Sequence, residues 1–135
     1  MPRLSDAEIA RLKADLDDLT RAIAFDEGTE RAFSHPLNAE KRNGEYHCAV
    51  CGEPVFSAAE KYESGSGWPS FWQPSHPENI ETKTDYKLLY PRTEIHCANC
   101  GAHMGHVFSD GPPPTGERYC TNGGVLDFRP KAGED

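Results

Sequence analysis

Two copies of a six-residue unit, each a Cys-x-x-Cys pair followed by glycine, constrain the fold of this chain more than any other feature. The units span residues 47–52 and 96–101. Zinc favours four thiolates in a tetrahedron, and each turn can supply two of them. Since 45 residues separate the units' facing cysteines, the ion would clamp two distant hairpins together. The sequence therefore predicts one structural zinc, with its ligands at Cys48, Cys51, Cys97 and Cys100.

Other interpretations of these four cysteines are a redox dithiol in one pair, or simple burial. The duplicated spacing favours the metal. The glycines that follow, Gly52 and Gly101, permit a left-handed backbone that lets each turn close tightly. Four closed thiolate positions leave no open site on the ion, so we assign the metal to stability and not to catalysis.

Composition and charge exclude several classes of partner. The net charge of -8 and the isoelectric point near 5.2 argue against nucleic acid and anionic membranes, which reward clustered lysine and arginine. The N-terminus lacks the apolar region of a signal peptide, and no later run is long enough to cross a bilayer. Most of the cysteines fall in Cys-x-x-Cys pairs, which fits a reducing compartment. We expect a cytoplasmic protein.

The chain divides into an N-terminal helical arm at residues 1–27, a zinc-containing domain at 28–130 and a tail at 131–135. A capping box, Ser5 with Glu8, begins the arm. One amphipathic helix is predicted from the three- and four-residue spacing of Ile9, Leu12, Leu16, Leu19 and Ile23.

The rest of the chain favours an all-β fold with an antiparallel sheet. Short β-branched and aromatic segments, bounded by glycine and proline, predict strands at residues 54–56, 85–90 and 125–128. Residues 64–72 carry both tryptophans but are too rich in glycine and proline for a regular strand, so we expect an ordered loop with an aromatic surface.

The fifth cysteine, Cys120, has no place in the metal site. A lone cysteine is by default a small buried hydrophobe. Here Arg118 and Asn122 flank it and are expected to lower the thiol pKa below the free value of about 8.5. Upstream, His103 and His106 can each donate a proton at neutral pH, although zinc ligation and surface exposure are alternatives for them. The set suggests nucleophilic or redox chemistry, with a carbonyl, a disulfide or an oxidised sulfur as the target.

Several motifs in consistent order resemble the B-type methionine sulfoxide reductases. They are residues 64–71, the two cysteine units, residues 102–112 and residues 118–122, within a match from about Gly28 to Phe128. The resemblance implies an all-β, zinc-stabilised antiparallel fold described as a β-tent. It also implies reduction of the R epimer of methionine sulfoxide in proteins and peptides.

The resemblance assigns roles to individual side chains. Cys120 would be the nucleophile and become a sulfenic acid, while Trp68 would hold the substrate methyl group on its ring face. The other catalytic positions would be His103, His106 and Asn122, which polarise the sulfoxide. Two further positions, Phe108 and Arg118, would complete the substrate site.

The sequence departs from the family at the position of a resolving cysteine. Many relatives carry that cysteine where this chain has Ser66, and no sixth cysteine replaces it. Unless one of the zinc cysteines is recruited as the resolving thiol, an external thiol, thioredoxin or a small thiol, must then reduce the sulfenic acid. Gly123 and Gly124 also differ from the family and are expected to loosen the loop after Cys120 or alter its grip on substrate.

Two other classes of function compete with this one. A non-catalytic zinc-containing β-tent could bind a ligand or partner in an aromatic pocket built on Trp68. A hydrolase could use Cys120 with a histidine, although no acyl-pocket signature accompanies them. An assay with a methionine sulfoxide peptide separates these alternatives.

Overall fold

A computed structural model describes residues 2–86 and 91–133 of the chain. Two short helices precede strands that form two antiparallel sheets, in the orders β2-β1-β9 and β3-β4-β8-β7-β6-β5. The predicted all-β class is confirmed. The elements are α1 (Asp6–Ala14), α2 (Asp18–Asp26), β1 (Gly44–Cys48), β2 (Pro54–Ser57), β3 (Lys61–Tyr62), β4 (Ser70–Phe71), β5 (Ile80–Asp85), β6 (Arg92–Cys97), β7 (His103–Phe108), β8 (Arg118–Thr121) and β9 (Leu126–Pro130).

The predicted strands largely match these elements. Residues 54–56 lie in β2, and β9 begins one residue after Val125, which ends a short 3-10 turn. Asp85 is the last residue of β5 and Tyr86 is irregular, while residues 87–90 lie outside the described part of the chain. The tryptophan-containing loop is irregular except for the two residues of β4.

The prediction of one N-terminal helix is wrong, because two helices meet at residues 15–17. The capping box of Ser5 and Glu8 begins α1 as predicted. A second helix begins because the Asp17 side chain accepts a hydrogen bond from the Thr20 backbone N–H at 2.7 Å. A side-chain cap of this kind satisfies an orphan donor of a helix N-terminus, so the apolar spacing continues through a break in the backbone.

Both helical segments are held against the sheets. Ile23 of α2 is fully buried in the core, and the Thr20 hydroxyl donates to the Gly124 carbonyl at 2.8 Å. Ahead of α1, the Leu4 backbone N–H donates to the Asn99 carbonyl at 3.0 Å. No helix in the described part of the chain is long and apolar enough to cross a membrane. The boundary at residue 27 and the cytoplasmic location stay predictions.

Aromatic contacts join the two sheets and support the strand beside Cys120. Phe56 and Phe71, from different sheets, stack with their ring centroids 4.4 Å apart. Tyr46 meets Phe71 edge to face at 5.1 Å, and all three side chains are fully buried. Burial of each contributes about 2 kcal/mol. Since Phe71 belongs to β4, this core fixes the strand that pairs directly with Cys120.

Candidate active site and metal centre

The four paired cysteines form one cluster, as the sequence predicts. Their sulfur atoms all lie within 4.8 Å of one another. The Cys48 and Cys100 sulfurs are 3.7 Å apart, and those of Cys51 and Cys97 are 3.6 Å apart. Tetrahedral thiolates at a Zn–S distance of about 2.3 Å would lie about 3.8 Å apart. The donor set can therefore hold a metal ion of this kind.

The two turns that present these thiols have the same hydrogen bonds. The backbone N–H of Gly52 donates to the Cys48 carbonyl at 2.8 Å, and that of Gly101 donates to the Cys97 carbonyl at 2.8 Å. Both glycines are left-handed, with φ of 83° and 80°, as predicted. One turn joins β1 to β2 and the other joins β6 to β7, so the cluster connects the two sheets.

Strand register places the reactive cysteine beside a histidine. Across the larger sheet, Glu94 pairs with His106, His106 pairs with Cys120, and Cys120 pairs with Ser70. Direct cross-strand partners project from the same face with Cβ atoms about 5 Å apart. A carboxylate, an imidazole, a thiol and a hydroxyl therefore form one row across four strands.

Cys120 opens into a cavity of about 400 Å³. The cavity contains six of the seven catalytic and substrate-binding residues that the sequence predicts, and His103 is not among its described lining residues. The sequence had indicated no catalytic or substrate-binding role for the other five lining residues, which are Thr29, Ser66, Arg92, Gly105 and Thr121. The lining consists of Thr29, Ser66, Trp68, Arg92, Gly105, His106, Phe108, Arg118, Cys120, Thr121 and Asn122.

His103 lies beside His106 but lines a different cavity. In a regular strand, residues three apart point to opposite faces, but an irregularity in the β6–β7 register falls between His103 and Gly105. The rings of His103 and His106 therefore approach edge to face, with centroids 5.7 Å apart. The Nδ1 atom of buried His103 is 3.2 Å from Oε2 of buried Glu94. Both side chains line a second cavity of about 280 Å³.

His106 has a carboxylate partner that the sequence did not reveal. Its Nε2 donates to Oδ2 of Asp85 at 2.9 Å, and the Arg92 guanidinium donates to the same oxygen at 3.2 Å. Burial lowers the pKa of His106, and the hydrogen bond to Asp85 opposes this effect. The ring is therefore held at Nε2 by Asp85, and its pKa lies below the ordinary value of 6.5.

Burial also has the largest effect on the pKa of the Cys120 thiol. It raises the pKa above the ordinary value of 9.0, while the Arg118 charge and the Ser66 hydroxyl lower it less strongly. The expectation of a pKa below the free value is wrong, because desolvation outweighs the nearby cation. Arg118 itself is held by two hydrogen bonds to Asp110, at 3.0 and 3.2 Å, and lies over the Phe108 ring.

The pH dependence of Cys120 alkylation follows from this balance. Only the thiolate reacts, so its rate with iodoacetamide should still be increasing above pH 9.0. Arg118→Met removes the cation that favours the thiolate and should shift the curve to higher pH. Peptide mass spectrometry can follow modification at Cys120 alone. Arg129→Met, which removes an exposed cation paired with Asp127, should leave the curve unchanged; a wild-type plateau below pH 9.0 contradicts this prediction.

The whole domain resembles one known family. The SelR domain family matches residues 16–130. The chain belongs to the SelR family. The SelR match includes α2 as well as both sheets.

Curated relatives agree with this membership over nearly their full length. A peptide methionine sulfoxide reductase MsrB of Thiobacillus denitrificans is 46% identical over 122 residues, covering 90% of this chain and 92% of the relative. MsrB of Pseudomonas putida is 47% identical over 130 residues, covering 95% and 96%. MsrB of Shigella dysenteriae is 48% identical over 117 residues, covering 87% and 85%. The SelR chain therefore corresponds to nearly the whole of each relative, and the sequence-based assignment to the B-type methionine sulfoxide reductases is confirmed.

Proposed function

We propose that this SelR-family chain reduces the R epimer of methionine sulfoxide in proteins and peptides, with Cys120 as the nucleophile. The activity class follows from its family, whose relatives bear the name peptide methionine sulfoxide reductase. The observation that carries the residue assignment is the direct pairing of Cys120 with His106 inside a cavity walled by Trp68. A thiol, a proton donor and an aromatic face are what sulfoxide reduction needs.

Trp68 suits a substrate that ends in a methyl group on sulfur. Its indole N–H donates to the Glu30 carbonyl at 3.0 Å, which fixes the ring while the ring lines the cavity. Contacts between sulfur-bearing groups and aromatic rings are favourable. Phe108 adds a second apolar surface, and Arg118 lies over its ring with 4.4 Å between guanidinium carbon and ring centroid.

In the reaction, the Cys120 thiolate attacks the sulfoxide sulfur while His106 in its protonated form donates to the oxygen. Because Nε2 of His106 binds Asp85, the donor is Nδ1, and the Asp85 carboxylate stabilises the imidazolium. Overall, oxygen passes from the methionine sulfur to the Cys120 sulfur. Methionine leaves, and the enzyme holds a sulfenic acid.

Asn122 and His103 would support this step from different positions. The Asn122 amide donates one N–H to the Met104 carbonyl at 3.0 Å. An amide has two N–H donors, so the other is available to the sulfoxide oxygen. His103 contacts Glu94 and reaches the site through His106, so its contribution is to the charge and position of that ring.

An external thiol would complete the cycle. The Ser66 hydroxyl is 4.0 Å from the Cys120 sulfur, in the place where a resolving thiol would act, and the other four cysteines form the metal cluster. One thiol attacks the sulfenic acid, giving a mixed disulfide and water. A second thiol then releases the Cys120 thiol and a disulfide product, by ordinary thiol–disulfide exchange.

The metal would be structural zinc, held by Cys48, Cys51, Cys97 and Cys100. The separations of their sulfurs support a tetrahedral ion, and none of the four is among the described residues that line the Cys120 cavity. Bound zinc would supply cross-linking of the two sheets. Its four protein ligands leave no coordination position for a substrate.

The function is tested by incubating the enzyme with a methionine sulfoxide peptide and dithiothreitol while following each epimer. The R epimer should be converted to methionine and the S epimer should remain. Unchanged amounts of the R epimer would instead favour a binding module that uses the Trp68 pocket.

A further inference from the structure

Glu30 makes hydrogen bonds with four groups, two of which, on Trp68 and Asn122, belong to residues that line the Cys120 cavity. It is only 6% exposed and follows Thr29, which lines the cavity. Its backbone N–H donates to the Asn122 side-chain oxygen at 3.0 Å, and its carbonyl accepts from the Trp68 indole at 3.0 Å. Its backbone therefore connects the aromatic wall to the residue two positions after the nucleophile.

The Glu30 carboxylate binds the same region from another direction. Oε2 accepts from the backbone N–H of Gly123 at 2.9 Å, and Oε1 accepts from that of Gly124 at 2.8 Å. These bonds use both oxygens of a buried carboxylate. Hydrogen bonds to an ionised group are stronger than those between neutral groups, so the turn that follows β8 is tied firmly to Glu30.

Gly123 and Gly124 are closely packed, which does not support the expectation that they loosen the loop after Cys120. A Cβ atom on Gly123 would lie 2.4 Å from Nδ1 of His35, and one on Gly124 would lie 2.9 Å from Cδ1 of Ile23. Contacts below 3.0 Å require something to shift. Glycine is needed at position 123 because the ring and Cβ of His35 lie directly against the backbone, whereas the contact at Gly124 is with the end of the Ile23 side chain.

We propose that Glu30 is a positioning residue that sets the separation between the Trp68 ring and the Cys120 thiol. One side chain and its backbone hold both sides of the gap, since Trp68 and the turn after Cys120 bind the same residue. That separation limits the alkyl group that fits between ring and thiol. Glu30 therefore confers preference for a methyl sulfoxide over a larger alkyl sulfoxide, an inference that rests on the proposed function.

Glu30→Gln tests this proposal with little change in shape. The carboxamide oxygen can accept from one glycine, but the NH₂ group faces the other N–H as a second donor. We expect the KM for an R methionine sulfoxide peptide to rise about tenfold, with a smaller change in kcat. The ratio of kcat/KM for the methionine sulfoxide peptide to that for the ethionine sulfoxide peptide should fall. Alkylation of Cys120 by iodoacetamide should be unchanged.

Glu30→Asp and Glu40→Gln separate positioning from general stability. Aspartate keeps two acceptor oxygens and should restore part of the KM and of the methyl preference; it also serves if the glutamine variant does not fold. The Glu40 carboxylate likewise accepts two backbone N–H bonds, from Lys41 and Arg42, but Glu40 is not among the described lining residues of the Cys120 cavity. Glu40→Gln should therefore keep the wild-type KM and the wild-type ratio of kcat/KM between the methyl and ethyl sulfoxide peptides.

The possible failures are distinguishable. Active wild-type enzyme with an unchanged KM and methyl-to-ethyl ratio in the folded Glu30 variants would overturn the positioning role alone. The same KM increase and loss of preference in Glu40→Gln would also overturn it, because a remote loss of stability would then be sufficient. Failure of the wild-type enzyme to reduce the R epimer would overturn the proposed function and this inference with it.

Discussion

Cys120→Ser is expected to reduce turnover of methionine sulfoxide by roughly a thousandfold or more. The serine hydroxyl is a far weaker nucleophile than a thiolate, and it cannot form the sulfenic acid that carries the oxygen away. The effect should appear in kcat, because Trp68 and Phe108 remain to bind the substrate. Steady-state assay with an R methionine sulfoxide peptide measures it.

The same variant should remain folded and retain its metal. Cys120 lies outside the four-sulfur cluster, and an oxygen in place of its sulfur creates no large cavity. Circular dichroism, thermal unfolding and zinc content should match those of the wild type. Substantial turnover by a folded Cys120→Ser enzyme would remove Cys120 from the mechanism.

Loss of the metal is expected to unfold the domain. Structural zinc contributes roughly 10 kcal/mol or more of folding free energy, whereas a domain of this size has a total stability of about 5–15 kcal/mol. The two cysteine turns belong to different sheets, so removing the ion breaks a cross-link between the sheets and leaves packing contacts such as that of Phe56 with Phe71 to hold them together. Cys97→Ser, which removes one of the four proposed ligands, should have a similar effect to chelation.

Metal analysis and unfolding measurements together check this expectation. The wild type and Cys120→Ser should contain about one zinc per chain, and a strong chelator should lower the unfolding temperature until the folded signal is lost. Cys97→Ser should be metal-poor and largely unfolded. A metal-free wild-type chain with an unchanged unfolding temperature would exclude a structural zinc.

The metal cluster could be predicted from the sequence because its information is local. Each pair of thiols lies within one turn, and glycine directly follows the second cysteine. Spacing alone then fixes how two sulfurs are presented, and the left-handed conformations of Gly52 and Gly101 follow from the same turn. That the two turns meet is a property of the whole fold. It could still be inferred from the sequence, because zinc needs four ligands and each turn provides two.

The active site was only partly predictable, because the pairing of the strands brings distant residues to Cys120 and His106. Cys120 and His106 lie in recognisable motifs, but Asp85 reaches His106 only through the order of strands in the larger sheet. Glu30 lies 93 and 94 positions from the glycines that it binds. In the sequence, Gly28, Thr29 and Glu30 indicate only the end of a helix. Long-range pairs of this kind leave no periodic signal along the chain.

Local competition explains the two remaining differences. The apolar spacing of a helix continues from Ile9 to Ile23, but Asp17 satisfies a backbone donor and begins a new helix between them. For Cys120, Arg118 lowers the pKa as expected, yet burial has the larger effect. Sequence shows the neighbouring charge, whereas burial is a property of the assembled sheet.

A single-turnover experiment tests the central claim that Cys120 alone carries the redox chemistry. Enzyme incubated with excess R methionine sulfoxide peptide and no thiol should form about one methionine per chain and gain one oxygen atom, mapped to Cys120 as sulfenic acid. Ser66→Cys is the matched control, because its new thiol would replace a hydroxyl 4.0 Å from the Cys120 sulfur and should give a disulfide with Cys120 instead. A dominant wild-type disulfide between Cys120 and a metal-cluster cysteine, or no oxidation of Cys120, would contradict the account.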